Sequence, residues 1–167
     1  MSNRLGRIFI LITILLANLP MMMDTTILHI AVPSLTLDLE ATSTQILWII
    51  DIYPLFMAGL LIPAGTLADR VGHKNVLIAG LVIFLGASIM AAFASSAFML
   101  IIARIVLALG AAMVIPCVLA IIRQIFHSTK ERGIALGLWS TVTSVGTAIA
   151  PLIGGYLLEH FHWGSVF

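Results

Sequence analysis

Apolar runs long enough to cross a lipid bilayer follow one another along almost the whole chain. The hydrocarbon core of a bilayer is about 30 Å thick, and an α-helix crosses it with about 20 apolar residues. The links between the runs are short, and charged residues make up 9% of the sequence against 61% hydrophobic residues. Soluble proteins carry about 25% charged residues. The chain therefore has too little polar surface to fold as a water-soluble domain.

The positions of the polar links predict five complete spans and the beginning of a sixth within the 167 residues. The predicted spans are 8–33, 46–67, 76–94, 97–122 and 133–158, and the sixth begins near residue 165. Backbone polar groups in hydrocarbon must be satisfied within their own segment, so each span is expected to be an α-helix. The sequence predicts an all-α polytopic membrane protein, in the form of an incomplete N-terminal transmembrane bundle.

Basic residues occupy alternate links, which predicts the orientation of the chain. Seven of the eight lie before span one, between spans two and three, or between spans four and five: Arg4, Arg7, Arg70, Lys74, Arg123, Lys130 and Arg132. An excess of Lys and Arg marks the cytoplasmic side, so the N-terminus is predicted to be cytoplasmic. The net charge is +1 with no basic patch, so we expect no nucleic-acid partner. A single cysteine, Cys117, argues against a cysteine metal cluster.

Three charged residues fall inside the predicted spans: Asp24, Asp51 and Arg104. A charge in the bilayer costs about 2.5 to 3.5 kcal/mol on insertion scales, so such residues usually face a cavity or a partner. Their distances from the outer span ends are similar, about 8 to 13 Å, which predicts one shared polar cavity between spans one, two and four. Two acids and one base leave a negative charge for proton exchange. The alternative is a buried ion pair that only fixes helix packing.

An apolar lining beside these charges would suit a lipophilic cation, because aromatic faces and thioethers interact favourably with such ligands. The candidate lining residues are Met21, Met22, Met23, Trp48 and Tyr53. Ordinary contact with lipid or with another helix is the alternative for each of them. His160 and His162 are interpreted as solvated link residues, since a spacing of two does not place them on one helical face.

Glycine patterns mark two further regions. In span five, Gly146, Ala150 and Gly154 recur every four residues beside Pro151, which favours close approach of another helix and a kink. The link between spans two and three, residues 65–75, combines glycines with charged groups, and Gly72 permits the reversal of the chain. Its Asp69 is expected to pair with Arg123, at the same end of span four.

Four segments in order resemble signatures of the major facilitator superfamily: DTTILHIAVP, GTLADRVGHK, the region of Arg104, and GTAIAPLIGG. The resemblance covers nearly the whole chain and is to the drug:proton antiporters of the fourteen-helix branch. With WIIDIYPL in span two, the sequence is most similar to pumps for quaternary ammonium compounds and methyl viologen. The chain thus resembles the N-terminal part of a longer transporter.

The resemblance implies roles for particular residues. Asp24, with Thr26 and Pro33, resembles the first-helix acid linked to proton coupling or cation recognition, and Asp51 resembles the second-helix acid of the quaternary-ammonium pumps. Arg104 matches the fourth-helix arginine implicated in proton transfer, although Leu107 and Ala108 replace the usual Gln and Gly. A cytoplasmic conformational latch is matched by Gly65, Asp69, Arg70, Gly72 and Lys74, with His73 replacing the usual Arg. The antiporter signature is matched by Gly146, Pro151, Gly154 and Gly155, with Ala150 at a usual Gly.

The function implied is proton-coupled efflux of lipophilic cations by alternating access, in a multi-pass protein of the bacterial inner membrane. No cofactor is expected besides the proton gradient, and no metal site. The expected partners are lipophilic cationic small molecules, the lipid bilayer and a second, C-terminal bundle of the same polypeptide. Alternatives are a uniporter, an exporter of a siderophore or another metabolite, and, in a different class, a membrane-integral enzyme or a scaffold or assembly subunit.

Overall fold

A computed structural model describes residues 4–167, with the side chain of Arg4 outside the described part. Five long helices follow one another: α1 (Arg4–Asp38), α2 (Ser43–Val71), α3 (His73–Ala92), α4 (Ala97–Ile125) and α5 (Thr129–His160). A short 3₁₀ turn, Trp163–Val166, follows α5. Each of the five helices is long and apolar enough to cross a membrane. The predicted all-α polytopic membrane protein is confirmed.

The helices extend beyond most of the predicted span ends, so three of the four links between them are shorter than predicted; the link between α3 and α4, residues 93–96, is longer than the predicted 95–96. Pro33 does not end α1, which continues to Asp38. A capping box starts α2: the Thr42 hydroxyl oxygen accepts from the Gln45 backbone N–H at 3.3 Å, and the Gln45 side chain accepts from the Thr42 N–H at 2.9 Å. The polar link predicted over 34–45 therefore contracts to residues 39–42.

A single residue, Gly72, separates α2 from α3. Its φ of 100° lies in the region that side chains with a Cβ rarely adopt, and it allows the chain to reverse between two helices without a longer loop. The link predicted over residues 65–75 is helical on both sides of this glycine.

Helix α4 packs against α2 and α3, whereas the main partner of α1 is α5. Glycines bring the backbones of α3 and α4 together: a Cβ added at Gly80 would lie 2.9 Å from the Gly110 carbonyl oxygen, and one at Gly110 would lie 2.8 Å from the Gly80 oxygen. Small residues permit this approach between membrane helices. The helix that carries Arg104, α4, therefore packs closely against α3 as well as against α2.

Helices α1 and α5 run parallel, because residues that meet across them advance together along both. Arg7 contacts Glu131 at 3.3 Å near one end, and Asp38 contacts His162, just beyond α5, at 2.8 Å near the other. Trp163 also donates its ring N–H to Asp38, at 2.6 Å. Polar contacts thus hold this helix pair at both ends.

Candidate functional site

A buried ion pair joins α1 to α4. Nη1 of Arg104 donates to Oδ2 of Asp24 at 2.5 Å, although the two residues are eighty positions apart in the sequence. Asp24 is 8% exposed and Arg104 is 1% exposed. An arginine and a carboxylate removed from solvent are strongly dependent on each other, since either one alone would be a buried uncompensated charge. The structure therefore brings together two of the three charges that the sequence singled out.

Helix α2 contacts the same guanidinium from another direction. Nε of Arg104 donates to the backbone carbonyl oxygen of Ile49 at 3.3 Å. The guanidinium carbon lies 4.5 Å from the centroid of the Tyr53 ring, which is a cation–π geometry. Ile49 and Tyr53 are one helical turn apart and both are fully buried. Arg104 is thus held by a carboxylate of α1 and by a carbonyl and an aromatic face of α2.

Asp51 does not join this cluster, and the prediction of one cavity shared by three charges is wrong for this residue. Asp51 is exposed on α2, whereas its neighbours Ile49 and Tyr53 are buried. Two residues along a helix turn it by about 200°, so Asp51 points away from the face that meets Arg104. Its depth in the membrane could be estimated from sequence, but depth does not fix the helix face.

A cavity of about 590 Å³ borders Asp24. Its wall is mainly apolar and comes from α1, α3, α5 and the residues after Trp163; it includes Met23, Leu81, Phe84, Ser88, Ile153 and Phe167. Of the predicted lipophilic lining, Met23 borders this cavity, while Met21 and Tyr53 are fully buried elsewhere and Trp48 is exposed on α2. Asp24 therefore has a cationic partner on α4 and also contributes to the wall of an apolar cavity.

The small residues of α5 pack against α1 on both sides of Asp24. A Cβ added at Gly146 would lie 2.6 Å from Cδ2 of Leu19, and one at Gly154 would lie 3.1 Å from Cγ1 of Ile27. Ala150 between them is fully buried. Gly155, by contrast, has no atom within 4 Å of an added Cβ, and Pro151 is half-buried within the helix. Gly146 and Gly154 thus allow α5 to approach closely the helix that carries Asp24.

The turn between α2 and α3 has a different arrangement from the one predicted. Nε2 of His73, the first residue of α3, lies 3.3 Å from Oδ1 of Asp69 in the last turn of α2, and Gln124 of α4 contacts the other ring nitrogen at 3.3 Å. A cavity of about 390 Å³ is bordered by both Asp69 and Arg123. Within the described residues, however, Arg123 forms no ion pair with Asp69. The predicted Asp69–Arg123 pair is therefore absent from this structure.

The remaining members of this turn do not form a cluster. Arg70, Gly72 and Lys74 are exposed. Gly65 lies nearer the middle of the bundle, where an added Cβ would contact Pro116 of α4 at 3.8 Å. The basic ends of α2 and α3 thus face solvent or lipid headgroups, and His73 provides the contact with α4.

Sequence reasoning missed two sets of contacts. Tyr53 was interpreted as a cavity lining residue, whereas it stacks on Arg104; the one-turn spacing of two buried positions, Ile49 and Tyr53, was an available signal. His162 is exposed in the link after α5, as interpreted, but its contact with Asp38 was not predicted. That second contact joins positions 124 residues apart, and no local pattern indicates it.

Comparison with known proteins gives consistent matches. Residues 14–167 match the profile of the Major Facilitator Superfamily. The methyl viologen resistance protein of Salmonella typhimurium is 51% identical over 157 residues, which is 94% of this chain and 32% of that protein. A multidrug efflux pump of Mycolicibacterium smegmatis is 42% identical over 86% of this chain and 29% of its own length. A methylenomycin A resistance protein of Streptomyces coelicolor is 37% identical over 87% of this chain and 30% of its own. The chain thus spans about a third of the length of these relatives.

Proposed function

Because the chain belongs to the major facilitator superfamily, a family of membrane transporters, we propose that it is part of a proton-coupled exporter of lipophilic cations. The observation that carries the proposal is the buried Asp24–Arg104 pair, because its Asp24 borders an apolar cavity. Intramembrane ionisable residues usually mark substrate paths or proton relays. Proton gradient and cationic substrate would act on the same carboxylate, and no cofactor is required.

The chemistry of the site supports competition between a proton and a cation. With Asp24 ionised, its carboxylate attracts a positive ligand in the apolar cavity and is balanced by Arg104. A proton on Asp24 removes that attraction, and the remaining positive charge of Arg104 repels a cation in a region of low dielectric. Proton binding therefore favours release of the substrate, which is the exchange an antiporter requires.

The names of the relatives support the substrate class. One relative confers resistance to methyl viologen, an organic dication, and another is a multidrug efflux pump.

The glycine-rich stripe of α5 supports the same proposal, because it packs on α1 around Asp24 and can transmit a change at that residue to the rest of the bundle. Alternating access would also require a second bundle. The relatives are about three times as long as this chain and so have room for one.

A second candidate is an exporter of another metabolite. It is favoured by the methylenomycin A resistance protein among the relatives, whose name does not indicate a cationic substrate class. Transport of a neutral or acidic compound would not need an attractive Asp24, and the ion pair would then serve helix packing. To separate the two candidates, efflux of cationic dyes is compared with efflux of neutral or acidic compounds, each with and without a proton gradient.

We also propose that the protein lies in the bacterial inner membrane with its N-terminus in the cytoplasm. The contacts of Arg7 with Glu131 and of His73 with Gln124 lie at the ends of the helices where the basic residues are found. An excess of basic residues at one end favours the cytoplasmic side. A reporter that is active only in the cytoplasm should be active when fused before residue 1, and a reporter that is active only outside the cytoplasm should be inactive there.

A chimera tests the function, with residues 1–167 replacing the region that they match in the Salmonella methyl viologen resistance protein. We expect the chimera to lower ethidium accumulation in cells with a proton gradient, and Asp24→Asn to abolish this effect. Glu159→Gln is the matched control, because it removes an exposed carboxylate near the end of α5. Unchanged efflux in Asp24→Asn at normal expression would rule out the role of Asp24.

A further inference from the structure

We propose that Tyr53 is a positioning residue, which keeps Arg104 in place while Asp24 is neutral. This inference rests on the proposed function, because it concerns the state in which Asp24 carries a proton. The Tyr53 ring and the Ile49 carbonyl oxygen together form what we call the α2 seat of Arg104. The contacts of Arg104 lie in separate directions, one toward α1 and two toward α2.

Arg104 has one partner whose charge can change and two whose character cannot. Asp24, on α1, loses its negative charge when it is protonated. The Ile49 carbonyl, at 3.3 Å from Nε, and the Tyr53 ring, at 4.5 Å from the guanidinium carbon, remain the same in both protonation states. The attraction of a cation to an aromatic face arises from the ring quadrupole and is strongest where water is excluded.

Burial makes the α2 seat necessary. An arginine side chain is not deprotonated in proteins, so Arg104 remains a cation in both states of Asp24. It is almost fully enclosed, so a neutral Asp24 would leave a buried cation without a counter-ion unless another group stabilised it. The α2 seat supplies that stabilisation from a different helix. Tyr53 therefore lets Asp24 accept a proton without displacing Arg104 from the bundle.

The ring of Tyr53, and not its hydroxyl, carries this role. Within the described residues the buried hydroxyl has no hydrogen-bond partner. Removing it by Tyr53→Phe preserves the aromatic face over Arg104. Tyr53→Leu keeps an apolar side chain but removes the face, and Tyr53→Met does so with a flexible chain that fills the space in a different way. The variants thus separate the cation–π contact from hydrogen bonding and from packing.

The chain contains its own reporter of unfolding. Cys117 is its single cysteine and is buried in α4, the same helix as Arg104. A thiol-reactive dye will label it when the helices separate during heating of the purified 167-residue chain in detergent. The midpoint temperature of labelling then measures how much each contact of Arg104 stabilises the bundle, independently of transport.

The experiment is a double-mutant cycle between positions 24 and 53. We expect Tyr53→Leu to lower the labelling midpoint more in the Asp24→Asn background than in the wild-type background, since the neutral amide leaves the α2 seat as the main support of Arg104. Tyr53→Met should behave in the same way. Tyr53→Phe should leave the midpoint unchanged in both backgrounds.

Two results would overturn the proposal. An equal loss for Tyr53→Leu in both backgrounds would indicate packing alone, and a loss for Tyr53→Phe as large as that for Tyr53→Leu would assign the effect to the hydroxyl. If the Asp24→Asn, Tyr53→Leu chain does not fold, the cycle is completed with Tyr53→Met, and failure of both double variants when each single variant folds counts as the expected coupling. The proposed function fails separately, if ethidium efflux by the chimera persists in Asp24→Asn.

Discussion

Two pairs of an acid and a base in this chain have very different surroundings, and the base of the second pair, His73, is charged only if protonated. The side chains of Asp24 and Arg104 are 7% and 1% exposed, whereas those of Asp69 and His73 are 75% and 17% exposed. Exposed pairs contribute about 0 to 1 kcal/mol and are screened by salt. Removal of one partner from a buried pair costs about 3 to 5 kcal/mol. Burial, more than charge, therefore determines which pair can act as a switch.

The largest expected effect is that of Arg104→Met on stability. It leaves Asp24 buried without its cation, and we expect the free energy of unfolding of the purified chain to fall by about 3 to 5 kcal/mol. Cys117 labelling in mixed micelles with increasing dodecyl sulfate measures this change. The double variant Asp24→Asn, Arg104→Met should recover part of the loss, because no charge remains unpaired. A loss below about 1 kcal/mol for Arg104→Met would contradict this, because it would mean that the Asp24–Arg104 pair contributes no more than an exposed ion pair.

An intermediate effect is expected where α5 packs beside the buried pair. Gly154→Leu places side-chain atoms against Ile27, next to the turn of α1 that carries Asp24. Overpacking of this kind costs about 1 to 3 kcal/mol. Gly155→Leu is the matched control, since an added Cβ there meets no atom within 4 Å and the gain in helix propensity is the same. Equal stability of the two variants would contradict the close contact between α5 and α1.

The smallest effect is expected at the exposed pair. Asp69→Asn removes the negative charge beside His73, and we expect a loss of less than about 1 kcal/mol in the unfolding free energy of the chain. With His73 protonated, the loss measured at low salt should vanish at high salt, whereas the loss caused by Arg104→Met should persist. A salt-independent loss of several kcal/mol at Asp69 would remove the distinction between the two pairs.

Sequence patterns predicted the helices and the most informative charges, but not the helix faces. Long apolar runs indicated the five helices, because length and hydropathy are local properties. The cost of burying a charge indicated Asp24, Asp51 and Arg104 as functional candidates, but not which acid pairs with the arginine. Asp51 has a similar depth, yet its face depends on the rotation of α2, which packing against α4 determines. Depth was therefore predictable, whereas orientation was not.

Contacts between distant segments were the other part that sequence patterns did not predict. His73 pairs with Asp69 across the single-residue turn at Gly72, in place of the expected Arg123, since the predicted turn was several residues longer. Tyr53 meets Arg104 only after α2 and α4 have packed together. Such partners follow from tertiary geometry, and a pattern along one helix contains no information about the helix opposite.

The most direct test of the account is whether binding of a cation releases a proton from Asp24. Tetraphenylphosphonium would be added to the purified chimera in weakly buffered solution, and the change in pH recorded with an indicator dye. We predict proton release by the unmodified chimera and by Glu159→Gln, and none by Asp24→Asn that still binds the ligand. Undiminished proton release by Asp24→Asn would contradict the account.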